Sequence, residues 1–181
     1  MAAEVERCCW PDQLADAVGD VAQPAATNIL VLGMGNILLA DDGVGVRLIE
    51  RLQMQQRAGA VQFIDGGTLS FSLLEFMQVA DAMLVADAAE LGAAPGTVRV
   101  FENEAMDAFL RSSRRRSVHE VGLCDLLDMA RLLDCVPSRR ALMCVQPASI
   151  AWSNVLSPPV ADSFDAACLQ ATAVLRRWGG S

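Results

Sequence analysis

A single histidine, His119, occurs in 181 residues. Any imidazole chemistry must use it. No apolar run reaches the roughly 18 residues that a membrane span needs, so no membrane association is expected. The first residues, Met1 to Arg7, include Glu4 and Glu6. They contain no apolar stretch of the kind a secretory signal needs, which makes the cytoplasm the expected location. A broad basic face is missing too. The formal net charge is −8, and such a field repels a nucleic-acid backbone. Among the six cysteines (Cys8, Cys9, Cys124, Cys135, Cys144, Cys168) there is no Cys-x-x-Cys and no Cys/His zinc spacing. Cys124, Cys144 and Cys168 fall on apolar faces and read as reduced core residues. The vicinal Cys8-Cys9 match no metal spacing. There is no His-Glu-x-x-His helix, which excludes the common zinc-hydrolase signature. Internal repeats and low-complexity tracts are absent as well.

What is present is a core. Hydrophobic residues make up 53% and charged residues 20%, which excludes disorder over most of the length. The length suits one domain of ordinary size. Residues 1–27 read as an extension, with a short helix at Pro11 to Val18 and a linker-like run Gln23-Pro-Ala-Ala-Thr27. Residues 28–181 read as a single domain.

That domain is organised around residues 28–47. Ile29 to Leu32 form a short continuous apolar run, the pattern of a strand buried on both faces of a parallel sheet. Gly33 and Gly35 follow, where the backbone must turn sharply or allow close approach. Asp41 and Asp42 come next, and a helix starts after them with Val44, Leu48 and Leu52 on one face. Either aspartate could simply be an N-cap. The Gly-x-Gly opening is shared with dinucleotide-binding turns, and Asp65 could reach a ribose. Leu38, however, stands where the third glycine belongs. Two carboxylates also occupy the helix start, where a pyrophosphate needs positive potential.

The rest alternates strand and helix. Strands are expected at 28–33, 61–65, 82–86, 97–101 and 141–145, and helices at 43–57, about 69–78, about 118–134 and about 159–178. The last helix repeats apolar residues from Val160 to Trp178 at helical spacing. This order predicts a three-layer α/β/α domain with a mostly parallel, five-stranded, twisted sheet. Only Ala88 to Gly96 join the third and fourth strands. A parallel crossover needs a dozen or more residues, so the fourth strand should be an antiparallel edge.

Marked residues stand at several strand ends: Asp41/Asp42, Asp65-Gly66-Gly67-Thr68, Asp87 and Gln146-Pro147. In a parallel sheet these ends share one rim, the usual place for ligands, although each alone is more often a turn or cap residue. Ser117-Val-His-Glu120 reads as a capping box that sets His119 in the first turn of its helix. The helix dipole there favours a neutral ring, the form that binds metal. A surface histidine in a cap is the plain alternative. Two carboxylates and one imidazole would suit zinc, nickel or manganese. Arg114-Arg115-Arg116 could fork onto substrate carboxylates or be a solvated loop. Ser149 to Pro158 could line a groove, with Trp152 either at an interface or covering the sheet edge.

Gly33-x-Gly-Asn-Ile-Leu-Leu-x-Asp-Asp-Gly-Val-Gly-Val-Arg47 closely resembles the N-terminal signature of the nickel–iron hydrogenase maturation endopeptidases. The resemblance continues through Asp65-Gly-Gly-Thr68, Leu84-Val-Ala-Asp-Ala88, Pro95-Gly-Thr97, Ser117-Val-His-Glu-Val-Gly-Leu123 and Gln146-Pro147. It covers roughly residues 28–176, in order, and leaves the first 27 unexplained. It implies a phosphorylase/hydrolase-like fold and an endopeptidase that removes the C-terminal tail of a nickel–iron hydrogenase large-subunit precursor after nickel insertion. Such enzymes are described as aspartic-type or metallopeptidases. The resemblance puts metal contact and catalysis on Asp42, Asp87 and His119, and substrate selection on Asp65, Gly66, Gly67 and Thr68. Many members carry Glu at the position of Asp42; the shorter aspartate leaves Asp41 as a possible substitute. A metal held by three protein ligands could activate water and polarise the carbonyl. The version favoured by the resemblance is that the nickel belongs to the precursor and is read by these residues, with no organic cofactor. A non-catalytic nickel- or precursor-binding chaperone on the same fold, and a Rossmann-like nucleotide-binding domain, are the alternatives.

Overall fold

The computed structural model describes residues 28–55, 61–67, 72–113 and 118–180, with side chains at 113 and 118–121 outside the description. The extension assigned to residues 1–27 and the loop 114–117 therefore lie outside it.

Five strands form the sheet: β1 (Ile29–Met34), β2 (Val61–Gly67), β3 (Ala82–Ala88), β4 (Val98–Glu102) and β5 (Arg139–Val145). Five helices accompany them: α1 (Val44–Gln55), α2 (Leu73–Met77), α3 (Glu104–Ser113), α4 (Val118–Leu132) and α5 (Pro158–Arg177). The strand order is β2-β1-β3-β5-β4. All pairings are parallel except β4 with β5, which is antiparallel. The short β3–β4 connection dictates that edge, as expected: Gly96 turns the chain at φ +82° and donates its N–H to the Gln146 carbonyl.

Side chains alternate across the pleat. Ile29 and Val31 face α1 and α5, where Leu48, Leu52, Ala171 and Leu175 are buried. Leu30, Leu32 and Met34 face the opposite layer, where Met77, Leu110, Leu123 and Leu127 close the core. Every residue of β1 and β3 is buried, which is why these strands read as continuous apolar runs.

Two glycines bring α1 unusually close to the sheet. A Cβ on Gly45 would lie 2.2 Å from the Ala86 carbonyl oxygen and 2.6 Å from that of Met34. A Cβ on Gly33 would lie 2.7 Å from the Gly45 oxygen. Helix and strands thus touch backbone to backbone. The residues just ahead of α1 are thereby pinned at the carboxyl ends of β1 and β3.

Three differences from the expected pattern stand out. Helix α3 was not anticipated, although Met106, Phe109 and Leu110 recur at helical spacing; Met106 and Leu110 are buried. Asp87 lies inside β3 and not beyond it, because β5 continues to pair as far as Ala88↔Val145. Strand β5 begins at Arg139, earlier than its apolar run suggests. Arg140 tolerates the sheet there because its guanidinium is bound by Asp107.

Candidate active site

The rim is built from the turn after β1. Residues Ala40–Gly43 form one turn of 3-10 helix that runs directly into α1. It contains both neighbouring aspartates, and they have opposite fates. Asp41 is fully buried. Its carboxylate accepts from Ala148 N and Ser149 N, both at 2.9 Å, from Ser157 N at 2.6 Å and from Ser157 Oγ at 2.7 Å. Burial works to raise its pKa. The bonds from Ser157, Ser149 and Ala148 outweigh burial and hold the carboxyl below the ordinary carboxylate range. Its lone pairs are thus taken up by a loop more than a hundred residues away, and it neither caps α1 nor is available as a substitute ligand.

Asp42 is only half-buried. Its Oδ2 accepts from Asn36 N at 2.7 Å, which bends residues 36–42 into a closed turn. Gly35 makes that turn possible: its φ is +109°, and a Cβ there would sit 1.8 Å from the Asp42 carbonyl oxygen. Gly35 N donates to Gly67 O at 3.2 Å. The two amides that would cradle a phosphate in a dinucleotide-binding turn are therefore already bonded within the protein. This removes the physical basis of the nucleotide reading.

Asp87, 3% exposed, sits opposite Cys144 in the β3–β5 ladder. Since β1 and β3 are parallel neighbours paired from Ile29↔Ala82 to Gly33↔Ala86, Asp42, after the end of β1, and Asp87, the last residue but one of β3, belong to the same rim. His119 is the second residue of α4; its side chain and the rest of its capping box lie outside the described residues. So do Thr68 and Arg114–Arg116. Among the described residues, no three His, Cys, Asp or Glu side chains come together as a metal site. The donor set that can be placed at the rim is two carboxylates, which suits a hard or borderline cation once an imidazole completes it.

The remaining marked residues shape the rim. Asp65 Oδ1 accepts from Gly67 N at 2.8 Å, closing a tight turn at the end of β2 with Gly67 at φ +46°. Met34 lies against this turn, with its sulfur 2.6 Å from where a Gly66 Cβ would be. Gln146 is almost fully buried. Its side-chain oxygen accepts from Leu91 N at 2.7 Å and its amide donates to Glu90 at 3.1 Å, fixing the β3–β4 loop. Trp152 is 81% exposed and so does not cover the sheet edge. Ser157 stands at the N-cap position of α5, ahead of Pro158. It makes no capping bond, and its hydroxyl goes to Asp41 instead.

Comparison with known proteins settles the class. A family profile described as hydrogenase maturation protease (HycI) matches residues 46–174, more than half of the chain. The chain belongs to the hydrogenase maturation protease family. It is 38% identical over 153 residues to the hydrogenase expression/formation protein HupD of Rhodobacter capsulatus, covering 83% of this chain and 72% of HupD. It is 36% identical to the hydrogenase 2 maturation protease of Escherichia coli, covering 83% of this chain and 92% of that protein. Its fold is similar to that of the solved hydrogenase maturating endopeptidase HybD from E. coli, with TM-score 0.77 and 36% identity over 84% of this chain and 94% of HybD. This maturation protease is accordingly a peptidase, built on the mostly parallel five-stranded sheet described above. Among its described residues no helix is long and apolar enough to cross a membrane.

Proposed function

We propose that this hydrogenase maturation protease cuts the C-terminal tail from a nickel–iron hydrogenase large-subunit precursor in the cytoplasm. Asp42, Asp87 and His119 are the groups that meet the nickel already seated in that substrate. The observation that carries the reading is the division of labour between Asp41 and Asp42. One carboxylate is locked inside the protein while its neighbour stays at the rim, next to the strand end that bears Asp87. Carboxylates there can accept a proton from an attacking water, and their negative charge favours a cation-bearing substrate over a metal-free one. Asp65, Gly66 and Gly67 close the end of β2 beside β1, and with Thr68, which follows them in the sequence, they are the residues that help select the substrate in this reading.

The test is a cleavage assay on the large-subunit precursor from the same cell, with and without inserted nickel, read by mass spectrometry. Loss of a C-terminal peptide from the nickel-loaded form alone is expected. Equal cleavage of both forms would overturn the nickel gate. Binding without cleavage of either would make the protein a precursor-binding chaperone. His119→Ala should abolish cleavage while precursor binding, followed by pull-down, persists. Full activity of that variant would remove His119 from the site.

A further inference from the structure

Asp41 collects four hydrogen bonds from a single segment, residues 148–157. The same segment is tied to the turn after β1 by further bonds. Ala40 N donates to Ser153 O at 2.7 Å, Ser153 N to Leu38 O at 3.0 Å and Asp41 N to Ser149 O at 3.1 Å. Arg47, from the first turn of α1, donates to both loops, to the carbonyl oxygens of Ile37 and Asn154. Two loops fastened from inside in this way expose Ile37, Leu38, Ile150, Trp152 and Val155 on their outer side; even the least exposed of them, Ile37, is at 43%. Grouped apolar side chains left in water mark a surface that something covers. Neither 36–40 nor 148–157 holds a charged residue, in a chain of net charge −8. The ridge also adjoins the site: the Cα of Ile37 lies 2.6 Å from where a Cβ on Gly43, the residue after Asp42, would be.

We propose that Asp41 is a positioning residue of this protease, and that the ridge it holds binds an uncharged, apolar stretch of the peptide substrate beside the bond to be cut. The proposal rests on the assignment of Asp42 to the active site given above. Asp41 touches no substrate. It acts through the ridge, so loosening it weakens substrate capture and leaves the chemical step in place.

The experiment is steady-state cleavage of the nickel-loaded large-subunit precursor by the intact protein and three variants. Asp41→Asn keeps the shape of the side chain but turns an N–H₂ toward N–H donors. Its KM should rise about tenfold or more, the loss expected for charge-assisted bonds, with kcat within about threefold. Ser157→Ala, which removes one donor only, should raise KM by a smaller factor, and Ser157→Thr should restore it. Trp152→Ala should raise KM without touching the Asp41 bonds. Backbone amide exchange at Ala148, Ser149 and Ser157 should quicken in Asp41→Asn but not in Trp152→Ala, and this readout needs no activity. A fall in kcat with KM unchanged would move Asp41 from the ridge to the chemistry and overturn the proposal. So would unchanged KM in Trp152→Ala. If the unaltered protein neither cleaves nor binds the precursor, the functional reading itself falls. If it cleaves and all three variants match it in KM, the ridge alone falls.

Discussion

The rim and the α3–α4 flank each hold a carboxylate below its ordinary pKa, by different means. At the rim, Asp41 is surrounded by neutral N–H and O–H donors, and no cation is among its partners in the described residues. On the flank, Asp107 of α3 is gripped by Arg140 of β5 at 2.7 and 3.2 Å and by Arg131 of α4 at 3.0 Å. Burial works to raise the Asp107 pKa; the bond and charge of Arg140, then those of Arg131, outweigh it and leave it lowered. Guanidinium pairing cancels charge and fastens three elements to one another. Neutral donors also lower the pKa of a carboxylate but leave its charge uncancelled. The flank is therefore a joint, whereas the rim keeps a negative field.

The sharpest way to break the rim is Gly35→Ala. Steric overlap and the positive φ together should remove about 3 kcal/mol or more, seen as a fall in melting temperature on the order of 10 °C or as loss of soluble protein. A near-normal melt would mean that the turn is not as drawn. On the flank, Asp107→Ala leaves two arginines facing a largely buried gap, where the Arg140 and Asp107 side chains are 15% and 14% exposed. A loss of about 2–3 kcal/mol is expected, with cleavage kinetics unchanged in the fraction that stays folded. Altered KM would show that the two regions communicate.

Acid should loosen both regions, and the flank can be followed through Asp107. The folded pKa of Asp107 is below its unfolded value of about 3.9. Its contribution is therefore complete above that value and is lost as pH falls through the lower, folded one. Melting temperature should drop as pH goes from about 5 towards 2, and less steeply in Asp107→Asn. An unchanged slope would show that the arginines do not hold Asp107 in solution. The smallest effect belongs to Leu132→Ser at the far end of α4, where the side chain is 83% exposed. Stability within about 0.5 kcal/mol and normal kinetics are expected; a rise in KM would place the binding surface on the wrong side of the molecule.

The strands, the antiparallel edge and most helices were legible because they rest on local signals: apolar runs, turn residues and the length of one connection. Helix α3 carries such a signal in Met106, Phe109 and Leu110, but charged and small residues dilute it. The site was legible only in part. Asp42 and Asp87 stand at strand ends, where topology alone brings them together. The role of Asp41 was not legible, because its partners lie at 148, 149 and 157 and nothing near residue 41 announces them. The role of Arg47 is hidden for the same reason: its bonds to Ile37 and Asn154 exist only once both loops are folded.

The 116 positions between Asp41 and Ser157 have a consequence for how the protein comes into being. A ribosome adds about 5–20 residues per second, so the fastening of the rim trails the synthesis of β1 and α1 by roughly ten seconds. Until then the Asp41 carboxylate has no donors from residues 148–157, and the loop that borders Asp42 has nothing to close against. Contacts between such distant residues are also the slow ones to form. Strands β1, β2 and β3 and helix α1 can come together well before that loop exists, whereas β5 ends only at Val145 and α5 begins only at Pro158. A rim that cannot close until residues 148–157 have been made stays open through most of the synthesis of the chain.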